Sequence, residues 1–156
     1  MTVFLVTSGV LPAAIKRLID LRAEPTQLYI SLTAWDAKSY QILNRPIEER
    51  LWGALQQSLE LTSTLMCPTV FRITVLRGLN DNPEAIKGFA NMVSKYQPTY
   101  VEVKAYMHVG YSTKRLERSA MPSYSHVNAV AEDVSKQTSY RIVGRDEDSR
   151  VVLLKK

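Results

Sequence analysis

An α/β fold with about four parallel strands, helices outside them and a short terminal β pair is what the sequence predicts. Three observations carry it. Short β-type runs recur along the chain, amphipathic helical stretches separate them, and no internal repeat or low-complexity linker interrupts the alternation. Strands that alternate with helices make parallel β/α units joined by right-handed crossovers. A length of 156 residues suits one domain with a sizeable core, so the whole chain reads as a single unit.

Thr2–Val6 is the first apolar run and ends at Ser8-Gly9. Pro12 suits a first helical position and opens Ala13–Leu21, where Ile15, Leu18, Ile19 and Arg22 share a face. Gln27–Thr33 alternates as the second strand, and a loop runs to Pro46. From Ile47 to Thr62 apolar residues fall at helical spacing, and Glu48 and Glu49 suit the positive end of the helix dipole. Thr69–Leu76 is the third strand, Gly78–Asn82 a turn, and Pro83–Tyr96 a helix that buries Ile86, Phe89, Ala90 and Val93. Tyr100–Met107 is the fourth strand, followed by a polar loop from His108 to Pro122. A helix near Ser125–Gln137 then leads to strands Tyr140–Val143 and Arg150–Leu154, which turn at Asp146-Glu147-Asp148.

The first strand starts almost at Met1, so nothing in the sequence covers its edge, and a closed eight-stranded barrel needs roughly 200 or more residues. The sheet is therefore open, half of something larger, or completed by another chain. Three strands also carry a polar face. Gln27, Tyr29, Ser31 and Thr33 oppose Leu28, Ile30 and Leu32; Arg72 and Thr74 oppose Phe71, Ile73 and Val75; Glu102, Lys104 and Tyr106 oppose Val101, Val103 and Ala105. Parallel sheets ordinarily read as continuous apolar runs, so this pattern predicts a cupped site, or else an antiparallel meander with a solvated face or an Arg72–Glu102 pair that props the sheet. Arg72, Glu102 and Lys104 would then pair with one another, with water or with a ligand.

The net charge is +5 with a pI near 9.4, and residues 104–156 carry 10 Lys/Arg against 6 Asp/Glu, compared with 10 against 9 before them. That excess favours an anionic partner, and Lys114, Arg115 and Arg118 on the polar loop are candidate RNA phosphate contacts. One cysteine, Cys67, can neither make an internal disulfide nor hold a zinc ion or iron–sulfur cluster by itself. His108 and His126 have no second ligand at metal-binding spacing, so no metal site is expected; Trp35 reads as a loop anchor and Trp52 as a helix-face packing residue. No apolar run approaches the roughly 18 residues that span a bilayer. MTVFLVTSGVLP lacks a basic start and a small-residue cleavage site, so a cytoplasmic location without membrane contact is expected.

The runs FLVTSG (4–9), PTQLYISLTA (25–34), NRP (44–46), TVFRITVLRGLN (69–80), YVEVKAYMHVGYS (100–112), MP (121–122) and SRVVLL (149–154) resemble, in order and spacing, the carboxy-terminal half of archaeal tRNA 4-demethylwyosine synthase, a radical SAM family. The resemblance covers essentially the whole chain. It implies a partial radical SAM (β/α) barrel that lacks the first two, cluster-binding strands. It further implies a lyase activity that builds the tricyclic wyosine base from N1-methylguanosine at position 37 of phenylalanine tRNA, with pyruvate as carbon donor and S-adenosylmethionine as radical source. The family's [4Fe–4S] ligands form a C-x-x-x-C-x-x-C loop that this chain lacks, so a separate amino-terminal half would carry the cluster.

By resemblance, Thr7, Ser8 and Gly9 match a strand-end T-N-G motif near S-adenosylmethionine, with Ser8 in place of Asn. Ser31 and Thr33 match S-L-D-A, with Thr33 in place of Asp. Tyr106, Met107 and His108 match the stretch beside the adenine and substrate. Lys104 belongs to E-V-K-A-Y-M; it is either a lysine nucleophile toward a keto acid or the ion-pair partner of Glu102. The alternative to an enzyme part is a cysteine-free, catalytically inactive paralogue that binds RNA or protein.

Overall fold

The computed structural model describes every residue from Met1 to Lys156. In chain order the strands are β1 (Phe4–Thr7), β2 (Gln27–Leu32), β3 (Thr69–Val75), β4 (Tyr100–Ala105), β5 (Arg141–Asp146) and β6 (Val151–Lys155). The helices are α1 (Pro12–Asp20), α2 (Ala37–Asn44), α3 (Leu51–Leu61), α4 (Pro83–Tyr96) and α5 (Tyr124–Lys136). One six-stranded sheet runs β1-β2-β3-β4-β6-β5; the first four strands are parallel, and β6 pairs antiparallel with both β4 and β5.

The two-residue alternation decides which face meets the helices. Leu28, Ile30, Leu32, Phe71, Ile73, Val75, Val101 and Val103 are buried and share a core with Leu55, Leu59, Phe89, Val93, Val127 and Val134 from the helices. Truncating a fully buried aromatic such as Phe89 to Ala removes packing worth about 3–5 kcal/mol. No helix is long and apolar enough to cross a membrane.

Three stretches differ from the sequence expectation. The segment before Pro46 is a helix, α2, which starts with a reciprocal cap: Asp36 accepts from the Ser39 backbone, and the Ser39 hydroxyl accepts from the Asp36 backbone. Its apolar stripe is weak, since Ile42 lies in solvent, so periodicity could not find it. The following helix begins at Leu51 and not at Ile47. Ile47 is 92% exposed, and Glu48 precedes the helix as the partner of the Arg50 guanidinium. The turn between the last strands narrows to residues 147–150, because β5 extends to Asp146 with a register shift between Ile142 and Gly144.

Packing also explains a motif glycine. Gly9 has φ +73°, and a Cβ there would lie 2.8 Å from Leu55 Cδ1 and 3.0 Å from Ile30 Cγ2. The end of β1 can therefore approach α3 only without a side chain.

Candidate functional site

The polar residues of β2, β3 and β4 lie on the helix-free face, in two rows fixed by register. Ser31, Arg72, Glu102 and Leu153 form one row; Thr74, Lys104 and Val151 form the next. Arg72 and Glu102 are direct cross-strand neighbours, and Arg72 Nε donates to Glu102 Oε1 at 2.6 Å. The guanidinium also stacks 4.7 Å from the Tyr29 ring centroid. Burial, reinforced by the Glu102 charge and opposed by Arg72, raises the Tyr29 phenol above its ordinary range.

This arrangement removes one of the two readings of Lys104. Glu102 belongs to Arg72, and no carboxylate lies within 4 Å of the Lys104 ammonium. Lys104 is half-buried between Thr74 and Val151, a cation available to an anionic ligand.

The strand carboxyl ends are fastened by side chains that periodicity does not reveal. Asn80 is 1% exposed; its amide donates to the Thr33 and Thr74 carbonyls at 2.8 and 2.9 Å, and its oxygen accepts from the Leu76 backbone. The Thr33 hydroxyl donates to Asn44 Oδ1 at 2.7 Å, so the asparagines that end the TVFRITVLRGLN run and open the NRP run serve as clasps. A polar side chain that follows a β-type run was the available sequence signal. Thr33, Asn44, Thr74, Tyr106, Ser112 and Arg115 line a cleft of about 250 Å³ at this end.

Tyr106 shares the polar phase of β4 but is buried, packed with Leu76 and Ala120. Its hydroxyl donates to Ser112 Oγ at 2.9 Å, and Ser112 donates onward to the Val109 carbonyl. Tyr106 has one proton, already committed, so the 3.2 Å contact with His108 Nδ1 assigns the hydrogen to that nitrogen. In the neutral ring, Nε2 is then the acceptor. His126, expected to be unremarkable, pairs with Asp81 at 2.8 Å and ties α5 to the loop after β3.

The other site residues are spread along the same end. Thr7 closes β1, and its hydroxyl accepts from Gly9 N at 3.1 Å; Ser8 is exposed. Three strand spacings, about 14 Å, separate β1 from β4. Met107 is exposed beyond β4. Lys114 lies over the Tyr111 ring at 5.3 Å, Arg115 Nη2 donates to the Leu43 carbonyl at 2.8 Å, and Arg118 is exposed in a short turn. Of these three cations Arg115 lines the cleft and also ties the loop to α2.

An open groove of about 760 Å³ lies at the opposite end, where Cys67 and Thr26 precede their strands. There the Glu24 carboxylate accepts from the Met66 and Cys67 backbones, both at 2.8 Å. Burial first, and the Glu24 charge second, push the Cys67 thiol up. An iron–sulfur cluster does not fit this chain: it needs several thiolates, and the single one stands at the wrong end. No group of three or more His, Cys, Asp or Glu side chains converges elsewhere. The polar ends of S-adenosylmethionine fit better, since Ser31, Thr74 and Lys104 offer hydroxyls and a cation on one face.

Comparison with known proteins places these features in context. A family model described as wyosine base formation matches residues 95–156. The S-adenosyl-L-methionine-dependent tRNA 4-demethylwyosine synthase of Pyrococcus abyssi is 38% identical over 98% of this chain and 44% of its own length. The Methanocaldococcus jannaschii protein of the same name is 35% identical over 98% of the chain and 46% of its own. The chain thus spans less than half the length of these relatives. A structure described as TYW1 with a lysine-pyruvate adduct bound superposes with a TM-score of 0.85 at 32% identity, covering 99% of this chain and 47% of that one. A radical SAM methyltransferase from Sphaerobacter thermophilus shares the fold alone, at 19% identity and a TM-score of 0.56. The resemblance read from the residue runs is borne out.

Proposed function

We propose that this chain forms the S-adenosylmethionine-facing and substrate-facing wall of a tRNA 4-demethylwyosine synthase, as part of a radical SAM barrel whose cluster-bearing strands come from a separate segment. The observation that carries this reading is the polar helix-free face, with its unpaired Lys104, in a sheet that follows a TYW1 structure over 99% of the chain. When bound, S-adenosylmethionine would supply the radical chemistry. This chain supplies orientation: Thr7, Ser8 and Gly9 border the cofactor from β1, Ser31 and Thr33 from β2, and Tyr106, Met107 and His108 from the end of β4.

Lys104, with no ion pair of its own, is the side chain of this chain that we assign to the keto acid. His108 Nε2 accepts a hydrogen bond from the modified base. Lys114, Arg115 and Arg118 form the rim that takes phosphates of phenylalanine tRNA. The enzyme so assembled works in the cytoplasm.

A second reading, a non-catalytic RNA-binding or interaction module, gains from Thr33. Its hydroxyl is already committed to Asn44, and it cannot supply the charge of the family's aspartate. Equilibrium dialysis with labelled S-adenosylmethionine separates the two. Binding that strengthens when the cluster-bearing remainder of a relative is added supports the enzyme part. No binding in either condition supports the module.

A further inference from the structure

The segment after β4 sets three large apolar side chains in solvent at alternate positions, with Met107 43%, Val109 64% and Tyr111 74% exposed. Apolar surface in water is unfavourable, and here the segment is not loose enough to fold it inward. The Tyr106–Ser112–Val109 hydrogen bonds hold it from within, Arg115 ties it to Leu43, and Leu116 packs on the small cluster of Leu76, Tyr106 and Ala120. Tyr111 is the second residue of a short helical turn, Gly110–Lys114, which opens on Gly110 at φ +62°. Its ring meets the Lys114 ammonium on one face, which leaves the other for a ligand. The charges between residues 107 and 118 are Lys114, Arg115 and Arg118 against Glu117 alone.

An open aromatic face beside cations on a fixed loop has the chemistry of a base-stacking platform. We infer that Tyr111 stacks on an unpaired nucleotide adjoining the residue that enters the cleft, with Lys114 and Arg118 on the flanking phosphates. This rests on the RNA contact proposed above and adds how the strand is gripped: by an aromatic face that any base can use, outside the cleft. The ring has no hydrogen bond to the rest of the fold, so the fold does not depend on it.

The test uses the 156-residue chain and a short unstructured RNA that carries 2-aminopurine. Wild type should quench the fluorescent base on binding. Tyr111→Ala should weaken binding about tenfold and abolish the quench, with an unchanged thermal melting curve and salt slope. Tyr111→Phe should retain both binding and quench. Lys114→Gln should lower the salt slope by about 0.7 and keep most of the quench. Absence of quench with wild type, or Tyr111→Ala binding as wild type does, overturns the inference. The readout needs no catalysis, so a chain that quenches but yields no product in a reconstituted enzyme refutes the proposed function alone.

Discussion

Arg72 and Glu102 show how much one register choice decides. Their side chains are 23% and 12% exposed, so removing either leaves a partly desolvated charge without its partner. Arg72→Ala and Glu102→Ala should each destabilise the chain by about 1–3 kcal/mol in urea unfolding. The double variant should lose less than the sum, as a double-mutant cycle reads directly. Lys104→Ala should cost little stability, because no internal bond is lost. Tyr140 carries the pH-dependent counterpart. It is buried, donates to the Pro98 carbonyl, and is pushed up to about 12 by burial. The folded state therefore holds its phenol proton more tightly than the unfolded chain, where the value lies near 10. Stability from this group is intact below pH 10 and falls as pH rises from about 10 to 12; Tyr140→Phe should flatten that stretch of the curve. The polar face was legible in the sequence because alternation exposes it residue by residue. The choice of Arg72 over Lys104 was not, because pairing depends on a registration between strands that are 30 positions apart.

Elements depend on caps and on close approaches that composition conceals. The sequence predicted α4 at its full extent from its apolar stripe; the structure adds the cap, Asn82 Oδ1 accepting from Ala85 N at 2.9 Å. In α2 the cap carries more weight than the stripe. Asp36→Ala should lower stability by about 1 kcal/mol, checked by thermal unfolding. Gly88 marks another close approach: a Cβ there would lie 2.5 Å from Trp35 Cδ1. Gly88→Ala is a good substitution for an isolated helix, yet it should destabilise this protein by about 1–3 kcal/mol by displacing the indole. The expectation that Trp35 anchors a loop is consistent with this packing, whereas its need for a glycine opposite was beyond any periodic pattern.

At the scale of the molecule, the two edges of the parallel strands are treated differently. The β6–β5 pair covers β4, whereas β1 pairs only with β2, and Phe4 and Val6 are 60% and 51% exposed. An apolar edge strand with unpaired backbone groups is a template for another strand. The chain alone should therefore self-associate in size-exclusion chromatography as concentration rises, and Val6→Lys should reduce this without lowering the melting temperature much. The alternation of strands and helices was legible in the sequence, and so was the exposed first edge. The site is less so, because its candidate residues are spread over β1, β2, β4 and the following loop, and the cleft lining includes the clasp residue Asn44. The decisive measurement is product formation. The chain is mixed with the cluster-bearing remainder of an archaeal relative, reconstituted anaerobically, and supplied with S-adenosylmethionine, pyruvate and phenylalanine tRNA that carries N1-methylguanosine. Formation of 4-demethylwyosine only when both parts are present, and its reduction at least tenfold by Lys104→Ala, is the predicted result. Complexes that assemble and bind tRNA yet form no product with the wild-type chain would contradict the enzymatic reading.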